Sequence, residues 1–298
     1  MDYSKLHTEK QNPRTASLDR LPVEKILHLM EKEDGRVSLT LQKVRRALVR
    51  AVGLIVSSLK ERGRLFFFGA GTSGRMGVLE AAECPPTFNT SPGLVQAVMA
   101  GGKRAVFRSE EGAEDREGEA RREVRRRVRK GDVVVGISAS GVTPFVRGAL
   151  QEAKKRGART ILVACNGSSP LRSWVDILIA PETGPEVIAG STRLKAGTVT
   201  KLILNRLTVT SMVQLGKVYG NWMVDLQPRS RKLRERALRI LQHLGKIPHG
   251  RAESFLTQAG GRVKVAILMA RKNFSAAQAT SALKKSGGFL RKALSPTQ

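Results

Sequence analysis

Residues 64–75 read RLFFFGAGTSGR and set the architecture that we expect for the whole chain. The first half is an apolar run rich in phenylalanine, which is typical of a buried β-strand. The second half is a glycine-rich turn that leads directly into a helical pattern. Glycines let a backbone pass close to an anion, and the first N–H groups of a helix point toward it. This stretch therefore predicts a strand that ends in an anion-binding turn.

Outward from this stretch, short apolar strands alternate with helical patterns. The strand candidates are residues 64–68, 94–99, 132–137, 160–164 and 175–179. Helices are predicted over residues 74–83, 115–130 and 143–156, and a longer one over residues 193–219. Near-continuous apolar strands separated by helices are typical of parallel sheets that are covered on both faces. We predict an α/β fold with a doubly wound, mainly parallel five-stranded sheet.

Both ends of the chain depart from this alternation. Residues 1–20 are polar and contain Asn12-Pro13, which predicts an extended arm rather than a packed element. Helical patterns follow over about residues 22–32 and 39–62, and the chain after residue 229 is helical in pattern throughout. We therefore predict three parts: an N-terminal arm with helices over residues 1–55, the α/β domain over residues 56–222, and a small C-terminal helical module over residues 229–298.

The composition argues against several classes of protein. Two cysteines and four scattered histidines do not suit a disulfide framework or a zinc site. Charged residues interrupt every apolar stretch before the ~20 residues that a membrane span needs. The start of the chain lacks the compact apolar block of a secretory signal. We expect a cytoplasmic chain with no bound metal and no membrane partner.

The net charge of +28 is unusual for a chain of this length. Much of the excess lies in residues 121–130 (RREVRRRVRK) and 229–239 (RSRKLRERALR). Both stretches place apolar residues on the opposite side of a helix, as amphipathic surface helices do. Aromatic residues for base stacking are scarce near either run. We interpret the runs as solvated surfaces and expect no specific nucleic-acid ligand, only weak, salt-sensitive adhesion.

A second turn of the same kind follows the third strand candidate. Residues 138–143 read SASGVT and bring three hydroxyls and a glycine to the start of a helix. A helix N-cap, the structural alternative, would explain one of these hydroxyls. Two hydroxyl-rich turns at the carboxyl ends of strands in one parallel sheet favour a phosphate-binding crevice.

The spacing Gly69-x-Gly71-x-x-Gly74 also fits the dinucleotide-binding fingerprint. That fingerprint requires an acidic residue about twenty positions further on, at the end of the second strand, to bind ribose hydroxyls. Residues 98–102 read VMAGG there and contain no carboxylate. The sequence thus favours a phosphate monoester over a dinucleotide cofactor.

A strand followed by GAGTSGR and a later strand followed by SASGVTP resemble the sugar isomerase (SIS) fold, whose members bind phosphosugars. Further motifs extend the resemblance to the bacterial N-acetylmuramic acid 6-phosphate etherases. In chain order they are GAGTSGR (69–75), EAAECPPT (80–87), EGAED (111–115), DVVVGISASGVTP (132–144), GSTRLKAGT (190–198), KLILN (201–205), GKVYGNWMVD (216–225) and GGFLR (287–291). The motifs cover nearly the whole chain in collinear order, so the set is far more specific than any one of them.

The resemblance implies a lyase. The family's substrate carries a D-lactyl group that is bound through oxygen at C3 of the sugar. Ring opening gives an aldehyde that acidifies the C2 proton, so a base can remove it, lactate can leave and water can add back. The products are N-acetylglucosamine 6-phosphate and D-lactate, in the recycling of cell-wall amino sugars. The aldehyde is the electron sink, so we expect no cofactor, and the family pattern implies a homodimer.

The family's catalytic carboxylates fall on Glu83 and Glu114 of this sequence. Glu83 matches the acid that protonates the departing lactate, and we expect it to end its helix because Pro85 and Pro86 follow. The negative end of the helix dipole would then favour its protonated form. Glu114 matches the second carboxylate, which we assign as the base that acts on C2. Without the resemblance, Glu83 is a solvated terminal residue and Glu114 an acid at a helix start.

The remaining predicted site residues bind the substrate. The candidates for the phosphate are Thr72, Ser73, Gly74, Ser138, Ser140 and Thr143. Arg193 and Lys195 are candidates for the lactyl carboxylate or the phosphate, although their turn could equally cap the following helix. Two other functions stay open: a phosphosugar isomerase, which would release no lactate, and a non-catalytic regulator that binds sugar phosphates.

Overall fold

The structure is a computed structural model, and it describes residues 6–295. Residues 1–5 of the predicted arm and residues 296–298 of the predicted C-terminal module lie outside the described residues. The chain divides into two compact units. The first unit holds the described chain up to Ala82 and Pro92–Thr208, and the second holds Glu83–Ser91 and the described chain from Val209 onward. The three-part division made from the sequence stays a prediction.

Within residues 6–295, five strands form one sheet, which belongs to the first unit. They are β1 (Leu65–Gly69), β2 (Val95–Met99), β3 (Val133–Ile137), β4 (Arg159–Val163) and β5 (Ile177–Ile179). All their pairings are parallel, and the order across the sheet is β2-β1-β3-β4-β5. The predicted five-stranded parallel sheet is confirmed, and each strand lies within two residues of its predicted position.

Helices flank and connect these strands. In chain order they are α1 (Val23–Asp34), α2 (Arg36–Lys43), α3 (Arg45–Lys60), α4 (Gly71–Phe88), α5 (Gly102–Phe107), α6 (Glu117–Arg127), α7 (Pro144–Lys155) and α8 (Lys195–Gln214). Short 3-10 turns lie at Pro13–Thr15, Leu18–Arg20, Ala113–Asp115 and Pro170–Trp174. The last long helix is shorter than predicted, because the chain turns at Gly216 with a φ of +74°.

Apolar burial holds the sheet and its helices together. Phe66, Phe68 and Val134 form a fully buried cluster with Val146 and Leu150 of α7. Burying each side chain of this size contributes about 1.5–3 kcal/mol. The tightly packed sheet fixes where the carboxyl ends of the strands lie, and with them the turns that follow.

The N-terminal segment is packed, so the prediction of an extended, unpacked arm is wrong for its described part. Thr8 and Asn12 are each 1% exposed. The hydroxyl of Thr15 donates to the carbonyl of Val187 at 2.8 Å, a partner that is 172 residues away in the chain. The sequence does not predict this packing, because the buried residues of the segment are polar. Their hydrogen-bond partner lies far away in the chain, so no local pattern indicates that they are buried.

Helix α4 runs through two prolines, so the predicted helix end at Glu83 is wrong. Pro85 and Pro86 lack an N–H group, and the helix loses two hydrogen bonds there. The helix continues nonetheless: the Asn89 N–H donates to the Pro85 carbonyl at 2.9 Å, and Phe88 is buried. Asn89 then ends it at a φ of +50°. Glu83 lies more than one turn before this end, so it is not at the negative end of the helix dipole, where the sequence predicts it.

Four of the five arginines of α6 are paired with carboxylates rather than simply solvated. Their ion pairs are Arg121–Glu117, Arg125–Glu152, Arg126–Glu123 and Arg127–Glu123. Exposed pairs of this kind contribute at most about 1 kcal/mol each. In the second basic run, only Arg234 approaches a carboxylate within residues 6–295, at 4.0 Å from Glu253. The interpretation as a solvated surface fits the second run better than the first.

The C-terminal part of the second unit is helical, as predicted. Its helices are α9 (Arg231–Gly245), α10 (His249–Gln258), α11 (Val263–Lys272), α12 (Ala276–Lys285) and α13 (Leu290–Leu294). They enclose a core of their own, in which Leu241, Leu256 and Ile267 are almost completely buried. Across the described part of the chain, no helix combines the length and the hydropathy that crossing a membrane requires.

Candidate functional site

The two predicted anion-binding turns lie side by side. Gly69 at the end of β1 pairs with Ile137 at the end of β3, and neighbouring strands are about 4.8 Å apart. The strand order reverses between β1 and β3, because the chain places β2 beyond β1 and then β4 and β5 beyond β3. Open α/β sheets bind ligands in the crevice at such a reversal. The turns after β1 and β3 therefore flank a candidate binding crevice of the first unit.

Three hydroxyl groups converge in the turn after β3. Ser138 Oγ lies 2.7 Å from Thr143 Oγ1 and 3.4 Å from Ser140 Oγ. The same oxygen accepts from the backbone N–H groups of Gly141 at 3.0 Å and of Thr143 at 3.4 Å. Ser138 is thus the centre of a cluster of hydroxyl and amide donors. Such a cluster can bind the oxygens of a phosphate monoester, whose charge strengthens each hydrogen bond.

The segment after β4 supports this turn. Ser169 Oγ donates to the Gly141 carbonyl, and Asn166 Nδ2 donates to the Ser140 carbonyl at 3.3 Å. A side chain at Gly141 would place its Cβ 2.8 Å from the Ser169 Cβ, at a φ of +75°, so the turn requires glycine. Residues 165–170 read CNGSSP at the carboxyl end of β4. Polar residues directly after a strand indicate a binding crevice, so this stretch could have pointed to Asn166 and Ser169 as supporting residues.

The turn after β1 brings the start of a helix close to the sheet. A Cβ on Gly74 would meet the Gly69 carbonyl oxygen at 2.7 Å, so α4 packs on β1 more closely than a side chain allows. Thr72 and Ser73 lie partly buried in the first turn of α4. The first N–H groups of α4 therefore begin directly at the end of β1, as an anion-binding turn requires.

The N-terminus of α8 is already capped by a carboxylate. Glu186 accepts from the Lys195 N–H at 3.0 Å and from the Ala196 N–H at 2.9 Å, and it is fully buried. Burial raises the pKa of Glu186 and outweighs the N–H groups of Ala196 and Lys195, which favour its ionised form. The protein's own carboxylate therefore occupies the start of α8 within GSTRLKAGT (190–198), the motif of the predicted substrate-binding turn, of which residues 190–195 lead into the helix.

The side chain of Lys195 is part of a buried ion pair. Its ammonium contacts Glu33 and donates to the Pro185 carbonyl at 2.7 Å, and the side chain is 1% exposed. Arg14 Nε donates to the other oxygen of Glu33 at 2.8 Å. Burial acts to raise the pKa of Glu33, but hydrogen bonds from Lys195 and Arg14 outweigh it and hold the pKa below its ordinary value. Arg193, in contrast, is exposed, and substrate binding by either residue stays a prediction.

The two predicted catalytic carboxylates are exposed. Glu83 lies within α4, and Glu114 lies in the 3-10 turn Ala113–Asp115, which precedes α6. Exposure makes both groups accessible to a substrate, as acid–base catalysis needs, but it assigns neither a role. Of the predicted site residues, the structure directly joins Ser138, Ser140 and Thr143, and the roles of all the predicted residues stay predictions.

A buried carboxylate in α4 was not among the predicted site residues. Glu80 is 6% exposed, and it accepts from Asn205 Nδ2 at 2.6 Å and from the Thr208 hydroxyl. These contacts link α4 to α8 within the first unit. Glu80 belongs to the motif EAAECPPT and Asn205 to the motif KLILN, both quoted above. Their place in these motifs could have identified them as candidates for the site.

Two domain families match the first unit and its turns. The glucokinase regulatory protein N-terminal SIS domain matches residues 47–154, and the SIS domain matches residues 114–210. Together the two matches span all strands of the sheet and the turns that follow β1 and β3. The SIS fold that the motifs predict is confirmed.

Curated relatives match the chain over nearly its full length. The N-acetylmuramic acid 6-phosphate etherase of Geobacillus thermodenitrificans is 46% identical over 97% of this chain and 98% of its own. The etherase of Gloeobacter violaceus is 49% identical, and that of Microcystis aeruginosa is 48% identical, each over 97% of this chain and 95% of its own. Identity at this level over both whole chains shows common descent. The chain belongs to the N-acetylmuramic acid 6-phosphate etherase family.

Proposed function

We propose that this chain cleaves the D-lactyl ether of N-acetylmuramic acid 6-phosphate to give N-acetylglucosamine 6-phosphate and D-lactate. Similarity to etherases over 97% of the chain is the observation that carries the proposal. The enzyme is a carbon–oxygen lyase, which eliminates lactate from the open-chain sugar and then adds water. It would act in the recycling of cell-wall amino sugars.

The chemistry asks the protein for orientation and proton transfer. In the open-chain aldehyde the C2 proton is acidic, because the carbonyl accepts the electron pair that is left behind. A base takes this proton, the C3–O bond breaks, and an acid protonates the oxygen of the departing lactate. Water then adds across the C2–C3 double bond and restores a hydroxyl at C3. One carboxylate and one carboxylic acid can perform these steps.

In this proposal the phosphate binds to the turns after β1 and β3. The binding residues are Thr72, Ser73, Gly74, Ser138, Ser140 and Thr143. The contacts of 2.7 and 3.4 Å that Ser138 makes with its neighbouring hydroxyls support this role. Arg193 is exposed and is the candidate for the lactyl carboxylate, while Lys195 orders the start of α8 through its pair with Glu33.

The proposal assigns Glu83 as the acid that protonates lactate and Glu114 as the base that removes the C2 proton. The sequence motifs around them, ECPP and GAED, support this assignment because they match those of the etherases. Their exposure is compatible with access to a substrate. We further propose that the enzyme is a cytoplasmic homodimer, and its two cysteines, Cys84 and Cys165, which are both buried and not joined in a disulfide, fit a reducing compartment.

The direct test is to incubate the purified protein with N-acetylmuramic acid 6-phosphate and to measure D-lactate with a coupled dehydrogenase. The proposal expects stoichiometric D-lactate and N-acetylglucosamine 6-phosphate. A phosphosugar isomerase would instead form a ketose without lactate, and a binding regulator would leave the substrate unchanged. Either of these two results overturns the proposal.

The roles of the carboxylates are tested with Glu83→Gln and Glu114→Gln, each compared with the exposed neighbour variant Glu111→Gln. We expect loss of an acid or a base to lower kcat at least about 100-fold. Exchange of the C2 proton in deuterated water separates the roles: Glu114→Gln abolishes exchange, whereas Glu83→Gln retains it while lactate release stops. Near-normal turnover in Glu83→Gln would show that the acid assignment is wrong.

A further inference from the structure

The second unit contains a cavity of about 610 Å³ that the proposed function does not use. Every residue that lines it belongs to the second unit, and none is among the predicted catalytic or phosphate-binding residues. Sites for small organic ligands typically measure about 300–1,000 Å³. The size of the cavity therefore suits one small organic molecule.

One wall of the cavity is held rigid by a buried lysine. The ammonium of Lys264 donates to the Gly216 carbonyl at 2.8 Å, to Asp225 Oδ2 at 2.9 Å and to the Gly288 carbonyl at 3.0 Å. These three bonds use all the donors of the ammonium group. Lys217 Nζ lies 3.0 Å from the same Asp225 oxygen, so this carboxylate is neutralised twice. The wall is thus preformed, and its carboxylate does not repel an anion.

Three further cations line the cavity without a carboxylate partner. Arg229, Arg262 and Lys284 are exposed, and none of them forms an ion pair within residues 6–295. Arg262 is also the residue before α11, and its side chain does not cap that helix. The partial positive charge of the helix start therefore adds to that of the three side chains.

The remaining lining is largely apolar. Pro228 and Leu283 lie partly buried in its wall and present apolar atoms to it, whereas Val224, Leu226, Val263 and Val265 in the same lining are themselves nearly fully buried. A small hydrophilic ion would leave this surface without a partner. A molecule with an apolar body and one anionic group would cover the exposed parts of Pro228 and Leu283 and pair with the cations.

We propose that this cavity binds an amphiphilic organic anion, meaning a carboxylate or phosphate that carries an apolar chain or ring. The site is independent of the etherase reaction, because it uses different residues for a different ligand. Its binding and the lactate assay can therefore fail separately.

The test titrates the full chain with 8-anilinonaphthalene-1-sulfonate, whose fluorescence rises in an apolar site, at constant ionic strength. The double variant Arg262→Gln/Lys284→Gln removes two cations of the cavity. The control Lys246→Gln/Arg251→Gln removes two exposed cations of the same unit that do not line it. We expect the dissociation constant of the probe to rise at least about tenfold in the cavity variant and less than about twofold in the control. Equal losses in both variants would mean that the probe responds only to the net charge of the protein, and the proposal would be wrong.

Two further measurements sharpen the result. Octanoate should displace the probe, whereas inorganic phosphate at the same ionic strength should not, because it has no apolar part. Thr280→Phe places a ring in the cavity wall and should abolish binding while lactate release and the thermal unfolding midpoint stay within error of the parent. Displacement by phosphate as effectively as by octanoate, or unchanged probe binding in Thr280→Phe, overturns the proposal.

Discussion

The turns at residues 138–143 and 190–195 look alike in the sequence but differ in the structure. Each carries hydroxyls and a glycine in front of a helix, and each is a predicted substrate-binding turn. The start of α8 after the second turn is taken by the buried carboxylate of Glu186, at 3.0 and 2.9 Å from two backbone nitrogens. In the first turn, the donors converge instead on the hydroxyl of Ser138. A helix start whose N–H groups already bond a carboxylate of the protein, as those of α8 do, has no such donors left for an external anion.

Stability should fall most when the buried ion pair of Glu33 and Lys195, next to the capped start of α8, is broken. Glu33→Gln leaves the ammonium of Lys195 buried without a charged partner, which should lower the free energy of unfolding by about 3–5 kcal/mol. Urea denaturation measures this loss. The control is Glu31→Gln in the same helix, which removes an exposed carboxylate and should change stability by less than about 0.5 kcal/mol. Equal stability of the two variants would show that the pair does not order this region.

The next effect concerns the turn without a carboxylate. Ser138→Ala removes the central hydroxyl of the cluster, and the loss of one hydrogen bond to a charged phosphate is worth about 1.5–3 kcal/mol. We expect KM for the sugar phosphate to rise at least about tenfold, measured by lactate release, with little change in kcat. Ser57→Ala, which removes a hydroxyl that bonds Glu61 on the surface of α3, should leave KM unchanged.

The two buried carboxylates should respond to pH with opposite signs. The pKa of Glu33 is below its ordinary value of 4.5, so its stabilisation is present above pH 4.5 and is lost as the pH falls through the lowered pKa. The pKa of Glu186 is raised above 4.5, so its contribution is present below that pH and is lost as the pH rises through the raised pKa.

Unfolding free energies measured on both sides of pH 4.5 check this contrast. Relative to the parent, Glu33→Gln should become less stable with rising pH, whereas Glu186→Gln should become more stable. Parallel pH profiles for the two variants would contradict the distinct environments of the two carboxylates.

The smallest effect is expected at Arg193. Because this side chain is exposed, Arg193→Gln should raise KM only about two- to threefold, measured by lactate release. The exposed Arg206, which donates to a carbonyl of its own helix, provides the control as Arg206→Gln. A rise in KM as large as that expected for Ser138→Ala would show that both turns bind substrate. The proposed difference between the two turns would then be wrong.

Much of the fold was readable from local patterns. Four of the five strands are five residues long and β5 is three, and burial of every residue in β1 and β3 gave these two central strands a clear apolar signal. The turns after β1 and β3 could be predicted because their hydroxyls and glycines are contiguous. The end of α4 was misjudged, because the local cost of Pro85 and Pro86 is offset by burial of Phe88, which no local pattern reports.

The contacts that distinguish the two turns could not be predicted. Glu33 and Lys195 are 162 residues apart, and Glu186 reaches the start of α8 across a loop of irregular structure. An isolated acidic residue in a sequence has no signature of being buried. The fold class can therefore be predicted from the periodicity of the sequence. Which group bonds the first N–H groups of a helix cannot, because it depends on a side chain that folding brings there from elsewhere in the chain.

The most direct test of this account is a crystal structure of the protein with N-acetylglucosamine 6-phosphate. The account predicts that the phosphate lies within hydrogen-bond distance of Ser138, Ser140 and Thr143, with Glu186 still bonded to the start of α8. A phosphate bound at residues 190–195, or one that makes no contact with residues 138–143, would contradict it.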